Sequence, residues 1–366
     1  MLFILPDGRA KRLQFDQGAF PDEFFYGYCQ LARREGWQVD LLARGFHSSL
    51  GLYVQKLIHW FTHLSPDFSD AAGLNVHLLE RNDAIVSMSE PVLFMLALRQ
   101  LQRTDGAKLV LILMGAEKRI ERSRAPWATH RILRWLLHRL AAIIVIGEGE
   151  RDYLITQQLA GLAQVHLVQF GVDTKFWVPA GNDGVGDYVL AIGNDDGRDY
   201  DVLLHAIGPH RLRLHTVRRV TDAPLPPNVT LTRGDWTGQA LSDLDLRALY
   251  QGSRFVVTPL KDSAQPQGQS VTLQAMACGK AVILSQTRGL WSRSLMRHLE
   301  NCYLVPSGDV PSLRAAIERL AADPGLCAQI GAEARRSVER HFSSDLMGDR
   351  IGAILQDVCA PVRQAC

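Results

Sequence analysis

Short runs of apolar, strand-forming residues recur along the whole chain, and each is followed by a polar turn and then a helical pattern. Leu109-Val110-Leu111-Ile112-Leu113, Ala142-Ile143-Ile144-Val145-Ile146 and Tyr188-Val189-Leu190-Ala191-Ile192 are examples. Similar runs at residues 1–5, 38–42, 74–79, 84–88, 165–170, 212–217, 229–232, 254–259 and 281–284 complete the series. Strands that alternate with helices imply doubly wound α/β domains with mainly parallel sheets. At 366 residues the chain is too long for one ordinary core, so two such domains are expected. The Gly/Asn/Pro-rich stretch at 179–186 marks the boundary between them. Helices are expected at 21–34, where Pro21, Asp22 and Glu23 form a first turn, at 313–340 with a break at Asp323-Pro324-Gly325, and at 345–358.

Composition narrows the function. A net charge of +2 argues against a nucleic-acid binder that works through a global positive field. The six cysteines form no CxxC pair, which suggests reduced thiols rather than zinc ligands or a disulfide framework. No apolar segment approaches the roughly 18 residues of a spanning helix, and the N-terminus lacks the length of a signal peptide. A cytoplasmic protein is expected. The first βα turn carries no GxGxxG, which counts against a dinucleotide-dependent oxidoreductase.

The stretch from Pro266 to Ser285 carries the clearest chemical signal. A turn containing Gly268 follows a strand and opens a helix of small and apolar residues that ends at Cys278-Gly279-Lys280. Such a helix N-terminus presents backbone N–H groups and the positive end of the helix dipole, which suits an anion, usually phosphate. Most glycine turns of this kind bind nothing, so the context decides.

That context is a set of ordered motifs. Gly171-Val172-Asp173-Thr174-Lys175-Phe176-Trp177-Val178-Pro179, Gln274-Ala275-Met276-Ala277-Cys278-Gly279-Lys280-Ala281-Val282 and Asn301-Cys302-Tyr303-Leu304-Val305-Pro306-Ser307-Gly308-Asp309 occur in this order. They resemble the signatures of retaining glycosyltransferases of GT-B fold, family 4 type. The resemblance covers the C-terminal half well and the N-terminal half only in layout. It implies two Rossmann-like domains facing across a cleft: residues 1–178 on the acceptor side and 179–345 on the donor side, with 346–366 returning to the first. It also implies transfer of a sugar from a nucleotide-diphosphate donor, UDP- or GDP-linked, without a metal or other cofactor. The acceptor would be a polysaccharide, a glycolipid or a lipid-linked glycan.

The resemblance assigns donor contacts to Gly193, Arg198, Lys261, Gln267, Gly268, Gln269, Ser270, Val271 and Gln274. Arg198 stands where the family usually carries a lysine, and its guanidinium can hold phosphate oxygens bidentately. The family's preceding arginine is replaced by Asn194. Two family glutamates that flank the 266–274 loop are also missing, since Pro266 and Gln274 stand in their places. Gln274 can still bond ribose hydroxyls, and Gln267 or Gln269 can reach the sugar. Attack from the front face, assisted by the leaving phosphate, requires no enzyme carboxylate. Arg233 and Trp236 fall on the nucleobase side, where Trp236 is either a stacking platform or a structural residue. Glu117, after the strand at 109–113, is either a participant in catalysis or a solvated acid. Asp243-Leu244-Asp245 reads as ordinary acids at a helix start rather than as a metal motif.

The stretch Lys118 to Arg139 reads as a basic, aromatic helix. Ile132, Leu133, Leu136, Leu137 and Leu140 form one face, and Arg131, Arg134, Trp135 and His138 form another. Lys56, His59, Trp60 and His63 repeat the layout. Cations interleaved with tryptophan suit an anionic membrane surface, and they equally suit a half-buried helix with a solvated face. Peripheral association with the inner face of the cell membrane is therefore one expectation. A non-catalytic GT-B protein that binds a nucleotide sugar or a partner glycosyltransferase is the alternative to an enzyme.

Overall fold

The computed structural model describes residues 1–6, 20–44, 56, 58–62, 64, 80–88, 93, 96–98, 100–101, 106–181, 186–221, 223–234 and 241–360. The strand expected at 74–79, His63 and Trp236 lie outside the described residues. The chain forms two compact units. Unit 1 comprises Met1–Asp16, Phe24–Gln169 and Met347–Cys366, and unit 2 comprises Gln17–Glu23 and Phe170–Leu346.

Unit 1 is built on strands β1 (Leu2–Pro6), β2 (Asp40–Arg44), β3 (Ala84–Ser87), β4 (Lys108–Leu113), β5 (Ala142–Val145) and β6 (Val165–Leu167). They pair in parallel in the order β2-β1-β3-β4-β5-β6. Its described helices begin with α1 (Tyr28–Ala32), α2 (Ala116–Arg122), α3 (Pro126–Leu137) and α4 (Glu148–Thr156). Leu133, Leu136 and Leu137 of α3 and Leu154 of α4 pack with Leu109, Leu111, Ile143 and Val145 of the sheet. Burying these branched side chains away from water is what holds the layers together.

Two helices differ from their expected form. The segment at 21–34 is a 3₁₀ turn at Glu23–Phe25 followed by the short α1, because Tyr26 and Gly27 between them have φ of 48° and 83°. Left-handed backbone cannot continue a right-handed helix. The basic stretch at 118–139 is two helices, α2 and α3, separated at Ser123, whose φ of −67° and ψ of 142° are extended. Pro126 takes the first position of α3, and a residue preceding proline is driven out of the helical region.

Unit 2 carries β7 (Val189–Ile192), β8 (Leu212–Thr216), β9 (Val229–Arg233), β10 (Phe255–Thr258), β11 (Val282–Gln286) and β12 (Tyr303–Pro306). The sheet order is β12-β11-β10-β7-β8-β9, again parallel throughout. β12 is a strand that sequence pattern does not announce. It is an edge strand with only Val305 buried, and it ends on Pro306. The helices are α5 (Tyr200–Ala206), α6 (Asp243–Gly252), α7 (Gln269–Ala277), α8 (Val310–Ala322) and α9 (Pro324–His341), followed by α10 (Ser344–Cys359). Asp243 and Asp245 do begin α6. The Asp245 carboxylate accepts from the Ser242 amide at 3.0 Å and its hydroxyl at 2.6 Å, closing a capping box. From Met347 onward α10 belongs to unit 1, where a Cβ on Gly348 would lie 2.5 Å from the Cβ of Gln30 in α1.

Candidate functional site

In unit 2 the strand order reverses between β7 and β10. The chain proceeds outward from β7 through β8 to β9, then returns to the other side at β10. In open parallel sheets this switch point leaves a crevice at the carboxyl ends of the two strands, and ligands bind there. The loops that follow β7 and β10 fill that place.

These loops are stitched to each other. Arg198 and Leu260 form an antiparallel bridge, the Asp199 amide donates to the Pro259 carbonyl at 3.0 Å, and the Lys261 amide donates to the Gly197 carbonyl at 2.8 Å. Gly193 directly follows β7, and its carbonyl accepts from the Tyr200 hydroxyl at 2.6 Å. The Arg198 guanidinium lies across Gly193 so closely that a Cβ there would stand 2.1 Å from Nε. Gly193 is thus a space requirement for the arginine.

The side chain of Arg198 is only 3% exposed. Its Nε donates to the Asp195 carboxylate at 2.8 Å, whereas Nη1 is buried with no hydrogen-bond partner. A cationic donor left unpaired in the interior is costly unless something else satisfies it. Nη1 points toward the start of α7, where a Cβ on Gly268 would be 3.2 Å from it. Gly268 has φ 70° and provides no side-chain cap. Gln269 behind it is buried, while Ser270 and Val271 are half-buried. The orphan guanidinium nitrogen and the first-turn N–H groups of α7 therefore converge from two elements, and all of them are positive.

The glutamines are placed differently from one another. Gln267 is buried against Gly197, with Nε2 3.4 Å from the Asp196 carboxylate and Oε1 3.4 Å from the Ser263 hydroxyl. Gln274 is 3% exposed, and its amide is engaged on both sides: Oε1 accepts from the Tyr250 hydroxyl at 3.1 Å and Nε2 donates to Glu23 at 2.9 Å. Lys261 and Arg233 are exposed at the carboxyl ends of β10 and β9. His215, at the end of β8, is half-buried with Nδ1 unpartnered, and its burial lowers the imidazole pKa. Nothing in its sequence surroundings marks it out.

Glu23 is the other residue that the sequence does not reveal, since it reads as a routine first-turn acid. It is fully buried in unit 2 and accepts three hydrogen bonds: from Trp177 Nε1 at 2.8 Å, Gln274 Nε2 at 2.9 Å and the Asp173 amide at 3.1 Å. Burial pushes its pKa from the usual 4.5 up to about 7, with the bonds from Gln274, Trp177 and Asp173 opposing the rise.

The residues expected on the acceptor side belong to unit 1. Glu117 is 4% exposed in the first turn of α2. The N-terminus of that helix is already capped by the buried Glu150 carboxylate, which accepts from the Gly115 and Ala116 amides at 3.0 and 2.7 Å. Arg131 and Arg134 on α3 and His138 at its C-cap are exposed. Trp135 is half-buried under Arg139, whose guanidinium sits 4.1 Å from the ring centroid. Among the described residues the large exposed aromatics are Trp127 at 72%, Trp60 at 49% and Phe61 at 44%, with Arg124 stacked 3.7 Å over Trp60.

Residues 186–323, which span both loops of the crevice and α7, match the family described as Glycosyl transferases group 1. This part of the chain is a glycosyl transferases group 1 domain. Among curated proteins, an alpha-maltose-1-phosphate synthase of Mycobacterium tuberculosis is 25% identical over 254 residues, 60% of this chain and 64% of that protein. An MMP alpha-(1->4)-mannosyltransferase of Mycolicibacterium hassiacum is 25% identical over 258 residues, 64% of this chain and 61% of the relative. The match thus spans under two thirds of the length of each. Among solved structures, a sucrose-phosphate synthase from Thermosynechococcus elongatus superposes with a TM-score of 0.71 at 17% identity, covering 98% of both chains. Anabaena HepE, solved with UDP, gives 0.69 at 16% identity and covers 97% of this chain and 99% of its own. The α/β fold of the group 1 domain and of the unit preceding it is that of the GT-B glycosyltransferases.

Proposed function

We propose that the protein is a retaining glycosyltransferase that moves a sugar from a nucleotide-diphosphate donor, UDP- or GDP-linked, to a glycan, glycolipid or lipid-linked acceptor. The observation that carries this reading is the buried Arg198 with its unpartnered Nη1 at the uncapped N-terminus of α7. When the glycosidic bond breaks, negative charge develops on the leaving diphosphate. Preoriented N–H donors in a low-dielectric crevice stabilise that charge without reorganising. Arg198 and the amides of Ser270 and Val271 would hold the phosphates, Lys261 would add a cation at the rim, and Arg233 and His215 would face the nucleoside. No carboxylate among these residues can act as a nucleophile. The reading therefore uses front-face attack, with the departing phosphate taking the acceptor's proton.

Similar proteins support the nucleotide-sugar part of this reading. HepE has been solved with UDP-glucose as well as UDP, and the curated relatives are named as an alpha-maltose-1-phosphate synthase and a mannosyltransferase. Incubating the pure protein with a panel of nucleotide sugars and a membrane extract as acceptor source should release the nucleoside diphosphate from one donor. No binding and no release with any donor would sink the enzyme reading.

For the acceptor we take the exposed Trp60, Phe61 and Trp127, together with Arg124, Arg131 and Arg134, as a contact for an anionic membrane surface. Tryptophan suits the headgroup level, and each cation near the surface contributes about 1 kcal/mol. No helix among the described residues is long and apolar enough to cross a membrane, so the contact would be peripheral. Sedimentation with liposomes should rise with anionic lipid content and fall with salt, and Trp127→Ala should weaken it. Binding indifferent to both lipid charge and salt would contradict this contact.

A further inference from the structure

We infer that Glu23 is a positioning residue for α7: its carboxylate holds Gln274 and the 173–177 loop together and so sets where the N-terminus of α7 stands. This rests on the donor-site reading above. Gln274 occupies the position at which the resembling family carries a glutamate, and here its amide nitrogen donates to a carboxylate supplied from residue 23 instead.

The network around Glu23 is built for the ionised form. Every partner donates: the Trp177 indole, the Gln274 amide and the Asp173 backbone N–H. Protonation turns one acceptor oxygen into a hydroxyl that faces an N–H, and one of the three bonds is lost. The partners are themselves anchored. Trp177 packs edge-on against Phe176 and Tyr250, and the Tyr250 hydroxyl donates to Gln274 Oε1. Arg335 ties the same loop to the end of α7, donating to the Trp177 and Ala277 carbonyls at 2.6 and 2.7 Å. A bond lost at Glu23 is therefore felt along the helix rather than dissipated in a side chain.

No cation pairs with Glu23 among the described residues. Tyr250 and Cys278, both held neutral by burial, lie near it, Asp22 is beside it in the chain, and Asp173 presents its amide, while the Arg247 and Arg335 guanidinium groups donate to the Phe176 and Trp177 carbonyls of the same loop. Burial therefore opposes the charge and the three donors favour it. Between pH 4.5 and about 7 the folded protein keeps a proton that the unfolded chain has released, so stability falls as pH rises through that window.

The test reads nuclear magnetic resonance signals of the ligand-free, full-length protein. The Trp177 indole N–H and the backbone amides of Ser270 and Val271 should shift together with one midpoint near pH 7. Glu23→Gln should abolish the shared step, Gln274→Glu should move it upward because two carboxylates then face each other, and Glu23→Gln with Gln274→Glu should restore it. A Trp177 signal that titrates while Ser270 and Val271 stay still, or a step that survives in Glu23→Gln, would overturn the proposal. The wild-type titration needs no variant to fold. Absence of nucleotide-sugar binding at every pH would instead overturn the donor-site reading, and the ligand-free signals keep the two failures apart.

Discussion

Arg198→Ala is expected to lower the affinity for the nucleoside diphosphate by at least about tenfold, which is about 1.4 kcal/mol. The wild-type guanidinium has one nitrogen committed to Asp195 and another buried without a partner at the start of α7. Charge-assisted bonds to phosphate are worth roughly 1.5–3 kcal/mol each, so losing even one reaches the stated effect. Arg198→Lys should fall between the two, because an ammonium keeps the charge but not the planar fork. Gly193→Ala should resemble Arg198→Ala, since its Cβ would stand 2.1 Å from Nε and displace the side chain. Asp195 is 35% exposed and can turn to water, so the fold should persist in Arg198→Ala. Isothermal titration at fixed salt measures the change, and an unchanged affinity would remove Arg198 from the site.

Gly171→Ala is expected to cost about 3 kcal/mol of folding stability, the upper part of the range for overpacking. In unit 2 the added Cβ would lie 2.1 Å from the carbonyl oxygen of Ser343 and 2.4 Å from its carbon. Both are backbone atoms, so no side chain can swing aside. The approach is fixed on either side by the Val172 amide donating to Phe342 at 2.8 Å and the Ser344 amide donating to Val172 at 2.9 Å. At 2–4 °C per kcal/mol, the loss should lower Tm by about 6–12 °C. Calorimetry would show it, and a Tm unchanged by Gly171→Ala would mean that residues 171–172 and 342–344 do not run in contact.

Residues that made the chain legible turn out to serve mostly the framework. Gly171 matters for its approach to Ser343. Asp173 accepts from the amides of Lys175 and Phe176 at 2.9 and 3.0 Å, closing the turn. Asn301, wholly buried, donates to Leu295 and Ser337, and Asp309 caps α8 through the Ser312 amide. Such requirements fall on consecutive residues, which is why these motifs can be read from sequence. The crevice is different. Arg198 and Gly268 meet only because β7 and β10 are neighbours in the sheet, and Glu23 reaches Gln274 across some 250 positions of chain. No local pattern encodes such meetings. The break between α2 and α3 was in principle visible at Pro126, but the continuous basic and aromatic spacing on either side of it outweighs one proline. Similarly, β12 lacks the buried alternation that betrays a strand.

On the proposed function, the N-terminus of α7 and Arg198 together hold the diphosphate of a sugar donor. A crystal structure of the protein with bound UDP or GDP tests this most directly. Phosphate oxygens are expected within about 3.2 Å of Arg198 Nη1 and of the Ser270 or Val271 amide. A nucleotide whose phosphates lie elsewhere, with Nη1 still unpartnered, would contradict it.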